Sequence, residues 1–240
     1  MKHPISHNVV RFTAWSAIVG ALLTYVTIGL LVMVSGVDTE MVFRGGTMLA
    51  LPAQTRSLFR WAMLIDVFGF YLPFLAIGGY LWYAFQEEAG AWGHMAVMAL
   101  ALFVTVGISG AVIQLAAIHP LSLLQMEGDV TTKVAAAAAW TTVANVAQRG
   151  LWWSEGPVFL FWALVVGSQL KKAGWGRAAL LKIVSLLGGV FFLLEFFPEL
   201  NLVAGGVETV VVSLLPLWML LFGLQLLRHP HAYAEPMAAM

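Results

Sequence analysis

A chain of 240 residues that is 61% hydrophobic and only 10% charged falls outside the range of soluble globular domains, which are about 45–50% apolar and about 25% charged. The formal net charge is zero, which gives no electrostatic reason to expect nucleic acid as a partner. Cysteine is absent, so disulfide frameworks, thiolate metal sites and cysteine redox catalysis are excluded.

The first element is an apolar run over residues 15–34, about the 20 residues needed to cross the hydrocarbon core. A cleavable signal would have a shorter core, roughly 7–15 residues, followed by small residues at the cut. This run ends VMVSG, a poor cleavage site, and reads as a retained first helix. In chain order the apolar spans are then 11–35, 60–85, 93–118, 150–170, 177–197 and 205–227. They predict a single transmembrane domain over 1–240, with 228–240 a disordered tail. Inside a bilayer the backbone polar groups find no water, so such spans must be helical. The alternation of a transmembrane barrel is not sustained anywhere. The expected fold is all-α, a polytopic membrane bundle of about six helices.

The segments QEEAGAWG and KKAGWG are short, which predicts loops joining antiparallel neighbours on either side of each. SGVDTEMVFRGGTMLALPAQTRS is long and half apolar, and is expected to lie on the membrane surface or fold back over the bundle. KVAAAAAWTTVANVAQ, residues 133–148, is rich in helix formers and reads as an extension of the fourth span beyond the bilayer. Gly150 and the Gly156-Pro157 step offer places to bend. One side of this topology collects Lys2, Arg11, Lys171, Lys172, Arg177, Lys182 and Arg228, and the other Arg44, Arg56, Arg60, Lys133 and Arg149. The excess of the first set predicts N-in, C-in insertion in a plasma membrane.

Charges inside the spans carry most of the functional information. RWAMLIDVFGFYLPFLAIGGYL and RGLWWSEGPVFLFWALVVGSQL share a pattern: Arg, five residues, an acid, then Phe, Leu and Gly in step. Arg60 and Asp66 thus correspond to Arg149 and Glu155. Six helical residues rise about 9 Å, which sets each acid a turn and a half deeper than its arginine. Asp66, His119, Glu155, Glu195 and Glu208 all fall toward one leaflet. A charged side chain at mid-bilayer costs about 2.5–3.5 kcal/mol on insertion scales. The available remedies are protonation, pairing with Arg60 or Arg149, a bound cation, or a water-filled cavity.

The expected site is a polar pocket with Asp66, Arg149 and Glu155 at its core and Glu208, Glu195, Arg60 and His119 at its rim. On a regular helix Arg149 and Glu155 lie about 120° apart, so Arg149 is expected to reach Asp66 or Glu208 on another helix. Arg60 and Arg149 also suit interface anchors beside Trp61, Trp152 and Trp153, and His119, before Pro120, suits a solvated helix end. Asp66, His119, Glu155, Glu195 and Glu208 are weak candidates for a metal, without diagnostic spacing. No motif implies a cofactor, and no catalytic set can be assigned.

The function expected is binding or translocation of a small ligand or proton through a pocket near the outer leaflet. One alternative is a non-catalytic subunit or scaffold, paired with a second copy or another membrane chain. Another is a carboxylate-based membrane enzyme, with or without a metal. RWAMLIDVFGFYLPFLAIGGYL, QRGLWWSEGPVFLFWALVVGSQL and the run from LLKIVSLLGGVFFLLEFF to VVVSLLPLWMLLFGLQLLR resemble a family of bacterial polytopic integral membrane proteins known as a domain of unknown function. The resemblance implies a six- or seven-helix bacterial inner-membrane protein, and supplies no substrate, cofactor or catalytic residue.

Overall fold

A computed structural model describes residues 5–36 and 38–229, whose regular structure is helical throughout. The helices are α1 (His7–Ser35), α2 (Gly45–Ala50), α3 (Ala53–Asp66), α4 (Leu72–Glu127), α5 (Val130–Val146), α6 (Glu155–Lys172), α7 (Ala178–Leu194) and α8 (Asn201–Arg228). A π-helical turn, Val67–Tyr71, joins α3 to α4, and a second, Ala147–Trp152, lies between α5 and α6. Short 3-10 turns at Thr39–Phe43 and Pro198–Leu200 precede α2 and α8. Lys2 and the predicted tail beyond residue 229 lie outside the described residues.

Four helical runs are long and apolar enough to cross a membrane: His7–Ser35, Ala53–Glu127, Val130–Lys172 and Asn201–Arg228. The outward faces of these helices agree with that reading, since Phe12, Leu22, Met33, Met98 and Leu102 are all exposed. Contiguous apolar surface of this kind is avoided by soluble monomers and suits lipid. Helix α7 is apolar but shorter, at 17 residues, and Leu186, Val190 and Leu193 on it are exposed too.

The predicted boundaries need correction in three places. QEEAGAWG is not a loop, because α4 stays helical on both sides of Gly90. That residue alone is non-helical, at φ 52° and ψ −132°, a conformation essentially reserved for glycine. The chain folds back there into two antiparallel arms, 72–89 and 91–127: Gly78 packs on Leu100 and Tyr71 on Gly107, and the Phe74 and Phe103 rings meet at 5.5 Å. Second, Pro120 does not end its helix, which runs on to Glu127. Third, the helix expected from 60 begins at Ala53, whereas the fourth span is extended as expected, in a helical run from Val130. The extension read from residues 133–148 is α5 itself.

These long helices build two cores. The larger is aromatic: Phe74 contacts Phe70, Phe103, Phe159, Trp162 and Trp218 with ring centroids 5.5 to 6.5 Å apart. It draws on α1, both arms of α4, α6, α7 and α8. The smaller core lies at the far end of α4, where its last turns pack against α5 in a helical hairpin. Asp129 caps α5 by accepting the Thr132 amide at 2.8 Å, and that hydrogen bond holds its carboxyl below the usual carboxylate range. The long segment before α3 folds back onto this hairpin. Trp140 Nε1 donates to the Val42 carbonyl at 2.8 Å, Thr141 Oγ1 donates to the Phe43 carbonyl at 3.0 Å, and the Gly45 amide donates to Thr141 Oγ1 at 3.2 Å. Met48, Leu49, Phe59 and Trp140 are fully buried there. We refer to this second layer as the cap.

Candidate functional site

Where the two cores meet, both π turns bring side chains to the same stretch of α4. A π turn holds one residue more than an α turn, and such turns recur at functional sites. Here the last residue of each turn is the one placed. Tyr71 sits against Gly107, and Trp152 against Gly110, where a Cβ on either glycine would overlap the ring. Trp152 Nε1 also donates to the Gly107 carbonyl at 3.0 Å. Gly107→Ala is therefore expected to destabilise the protein by about 1–3 kcal/mol, the range for overpacking a filled core. Thermal unfolding in detergent reads this directly, and an unchanged midpoint would contradict the contact.

Tyr71 then reaches the first turn of α6, where its hydroxyl donates to Glu155 Oε1 at 2.9 Å. Asp66, the last residue of α3, lies within Coulombic reach of both partners. Asp66 and Glu155 are half-buried. The two acids predicted as the core of the site are thus brought together, with a phenol between helices that the sequence reading passed over. Gly156 lets α7 approach closely beside them: a Cβ there would come within 2.9 Å of Phe192 Cβ and 3.0 Å of the Gly188 carbonyl. Trp153 closes the same side, donating to the Phe192 carbonyl at 3.1 Å and stacking on that ring at 4.1 Å.

Arg149 belongs to a different group. Its guanidinium donates to both carboxylate oxygens of Glu40 at 2.8 Å and lies 4.0 Å over the Phe43 ring. The expected partners Asp66 and Glu208 are not the ones it pairs with. The physical reason is the cap: the folded-back segment delivers Glu40 to Arg149 from outside the bundle. Both side chains remain well exposed, at 42% and 62%. A double-mutant cycle on Arg149→Ala and Glu40→Ala is therefore expected to give a coupling below about 1 kcal/mol, as for other solvated pairs. A coupling of several kcal/mol would mean that the pair is desolvated in the membrane-bound protein.

The remaining predicted residues divide in the same way. Glu208 is exposed on α8, and it interacts electrostatically with Glu195, at the end of α7, and with Glu40. These three acids and Arg149 form an outer group at the cap side of the bundle. Arg60 is exposed on α3. His119 is exposed within α4, twelve residues past Gly107, or about 18 Å along the helix. That distance removes it from the level of Tyr71 and Glu155. Among the described residues no group of three or more His, Asp or Glu side chains is placed to hold a metal ion, so the five predicted ligands are not assembled into one metal site. No family model, curated protein or solved structure matches the chain.

Proposed function

We propose that this multi-pass membrane protein binds a proton or a small cationic ligand at Asp66, Tyr71 and Glu155, and that this binding is a step in its passage through the bundle. In this reading the fold-back at Gly90 makes six crossings of the bacterial inner membrane, with both termini inside. The cap and the outer acids then face the opposite side. The observation that carries the reading is the Tyr71–Glu155 hydrogen bond, with Asp66 beside it.

Both carboxyl groups are half-buried and interact electrostatically, and among the described residues neither forms an ion pair. With no arginine paired to them, the remedies left besides the Tyr71 hydrogen bond are a proton, a cation that enters, or water. Tyr71 holds one Glu155 oxygen and leaves the other free to accept. Intramembrane acids of this kind mark ion and proton pathways more often than structural positions. The test is pH-titrated difference infrared spectroscopy on the protein in lipid nanodiscs. A carboxyl C=O band that changes with pH is expected, and it should be lost in Glu155→Gln. A spectrum unaltered by both Glu155→Gln and Asp66→Asn would overturn the proposal.

A further inference from the structure

Thr27 of α1 is 4% exposed, and its buried Oγ1 has no hydrogen-bond partner among the described residues. Hydroxyls within helices commonly turn back onto the carbonyl four residues earlier. On α1, Thr24 does so to Gly20 at 2.9 Å and Ser35 to Leu31 at 3.0 Å. Thr27 does not, so its hydroxyl is left for whatever lies beside the helix.

The register of α1 on the first π turn says what that is. A Cβ on Gly20 would come within 2.6 Å of Pro73, and one on Gly69 within 2.5 Å of Leu23 and 3.1 Å of the Thr24 amide nitrogen. Later residues of α1 thus meet earlier residues of the facing chain, so the two run antiparallel, and α1 packs along α3 as well. Thr27 is four residues beyond Leu23 and seven beyond Gly20, on the same helix face. Asp66 is three residues before Gly69, at the end of α3. Steps of about 6 Å along α1 and about 4.5 Å along the facing chain bring Thr27 level with Asp66. Between Arg11 and its end at Ser35, α1 has no Asp, Glu, Lys or Arg. The Thr27 hydroxyl is the uncommitted polar group that this helix brings to the acids.

We propose that Thr27 joins Asp66 and Glu155 in a binding site for a monovalent metal cation, Na+. The inference rests on the reading of the two acids as a binding site and narrows its ligand. A proton needs one carboxyl oxygen, whereas a metal ion stripped of its water needs several oxygens together. The donors here are all oxygen, as hard cations require: the Asp66 carboxylate, the Glu155 oxygen that Tyr71 leaves free, and the lone pairs of Thr27 Oγ1. Only two carboxylates meet, and among the described residues no third His, Asp or Glu joins them to hold a metal. With Tyr71 already donating to Glu155, a single positive charge suits this set better than a double one.

Equilibrium binding of radiolabelled Na+ to the full chain in lipid nanodiscs tests this, with excess choline chloride to hold the ionic strength. The wild type is expected to bind Na+ that unlabelled Na+ displaces and choline does not. Thr27→Val keeps the shape of the side chain and removes a hydroxyl that bonds to nothing, so the fold should be kept. It should weaken Na+ by at least about tenfold, the lower end of losses seen when the surroundings of a metal ligand are altered. Thr27→Ser, which retains the hydroxyl, should stay close to wild type, and Asp66→Asn with Glu155→Gln should abolish binding. No Na+ bound by the wild type overturns the inference, as does affinity unaltered in Thr27→Val or binding that survives the double acid variant. The carboxyl infrared band decides separately on the acids: if it still titrates and is lost in Glu155→Gln, a protein that binds no Na+ retains the proton reading.

Discussion

Glu155→Gln is expected to lower proton or cation binding by at least about tenfold, equivalent to about 1.4 kcal/mol, while leaving the fold intact. Glutamine keeps an oxygen for the Tyr71 hydroxyl, which donates to Glu155 at 2.9 Å, and keeps the volume. Only the ability to carry a negative charge or a proton is removed. Tyr71→Phe is expected to lose less, because Glu155 remains, although a hydrogen bond to a charged group is worth about 1.5–3 kcal/mol. Asp66 interacts electrostatically with Glu155, so Asp66→Asn and Glu155→Gln should combine non-additively. Equilibrium binding of the cation to nanodisc-embedded protein, or proton uptake on a pH jump, reads all four variants. Strict additivity would show that the two acids act as separate sites.

The largest expected effect on stability lies in the cap. Trp140 is fully buried, packs edge-on against Phe59 at 5.8 Å and ties the folded-back segment to α5 through Val42. Trp140→Ala is expected to destabilise by about 3–5 kcal/mol, the range for emptying a buried aromatic site. Trp140→Phe should lose chiefly the hydrogen bond, about 0.5–1.5 kcal/mol. Thermal or denaturant unfolding separates the two variants. A small effect of Trp140→Ala would mean that the cap contributes little to holding α4 and α5 together.

Much of the fold is visible in hydrophobicity alone, because a bilayer leaves a long apolar run few choices besides a helix. What periodicity could not reveal is what the helical extension over residues 133–148 packs against. Ala136, Trp140 and Ala144 of α5 are buried, and their burial depends on Met48 and Leu49 arriving from the long segment before α3. The single-residue reversal at Gly90 was hidden for a related reason. Glutamates and glycines in QEEAGAWG look like loop residues, yet one positive φ suffices to turn the chain.

The site was half legible. Asp66 and Glu155 stand out as acids among apolar residues. Tyr71 does not, since a tyrosine in VFGFY reads as one more aromatic side chain. Its relation to Glu155 depends on a π turn that a regular helical projection omits. The second π turn, at Ala147–Trp152, likewise breaks the uniform 100° per residue used to set Arg149 against Glu155. The repeat relating Arg60 and Asp66 to Arg149 and Glu155 does not extend to the backbone. Residues 58–63, aligned with the second π turn, are ordinary α-helix in α3. Arg149 was assigned the wrong partner because Glu40 lies 109 positions away, in a segment whose path the sequence left open.

The reversal at Gly90 also bears on how the molecule can be probed. With helix on both sides of one glycine, the Gly90 corner offers no peptide loop to a protease, an epitope tag or an inserted reporter. Between Lys172 and Ala178 there is the only other described connection on that face, and it too is short. Topology mapping and labelling have a natural handle instead at the exposed Asp129 corner between α4 and α5. A reporter fused at Gly90 would measure a broken hairpin and not the side of the membrane.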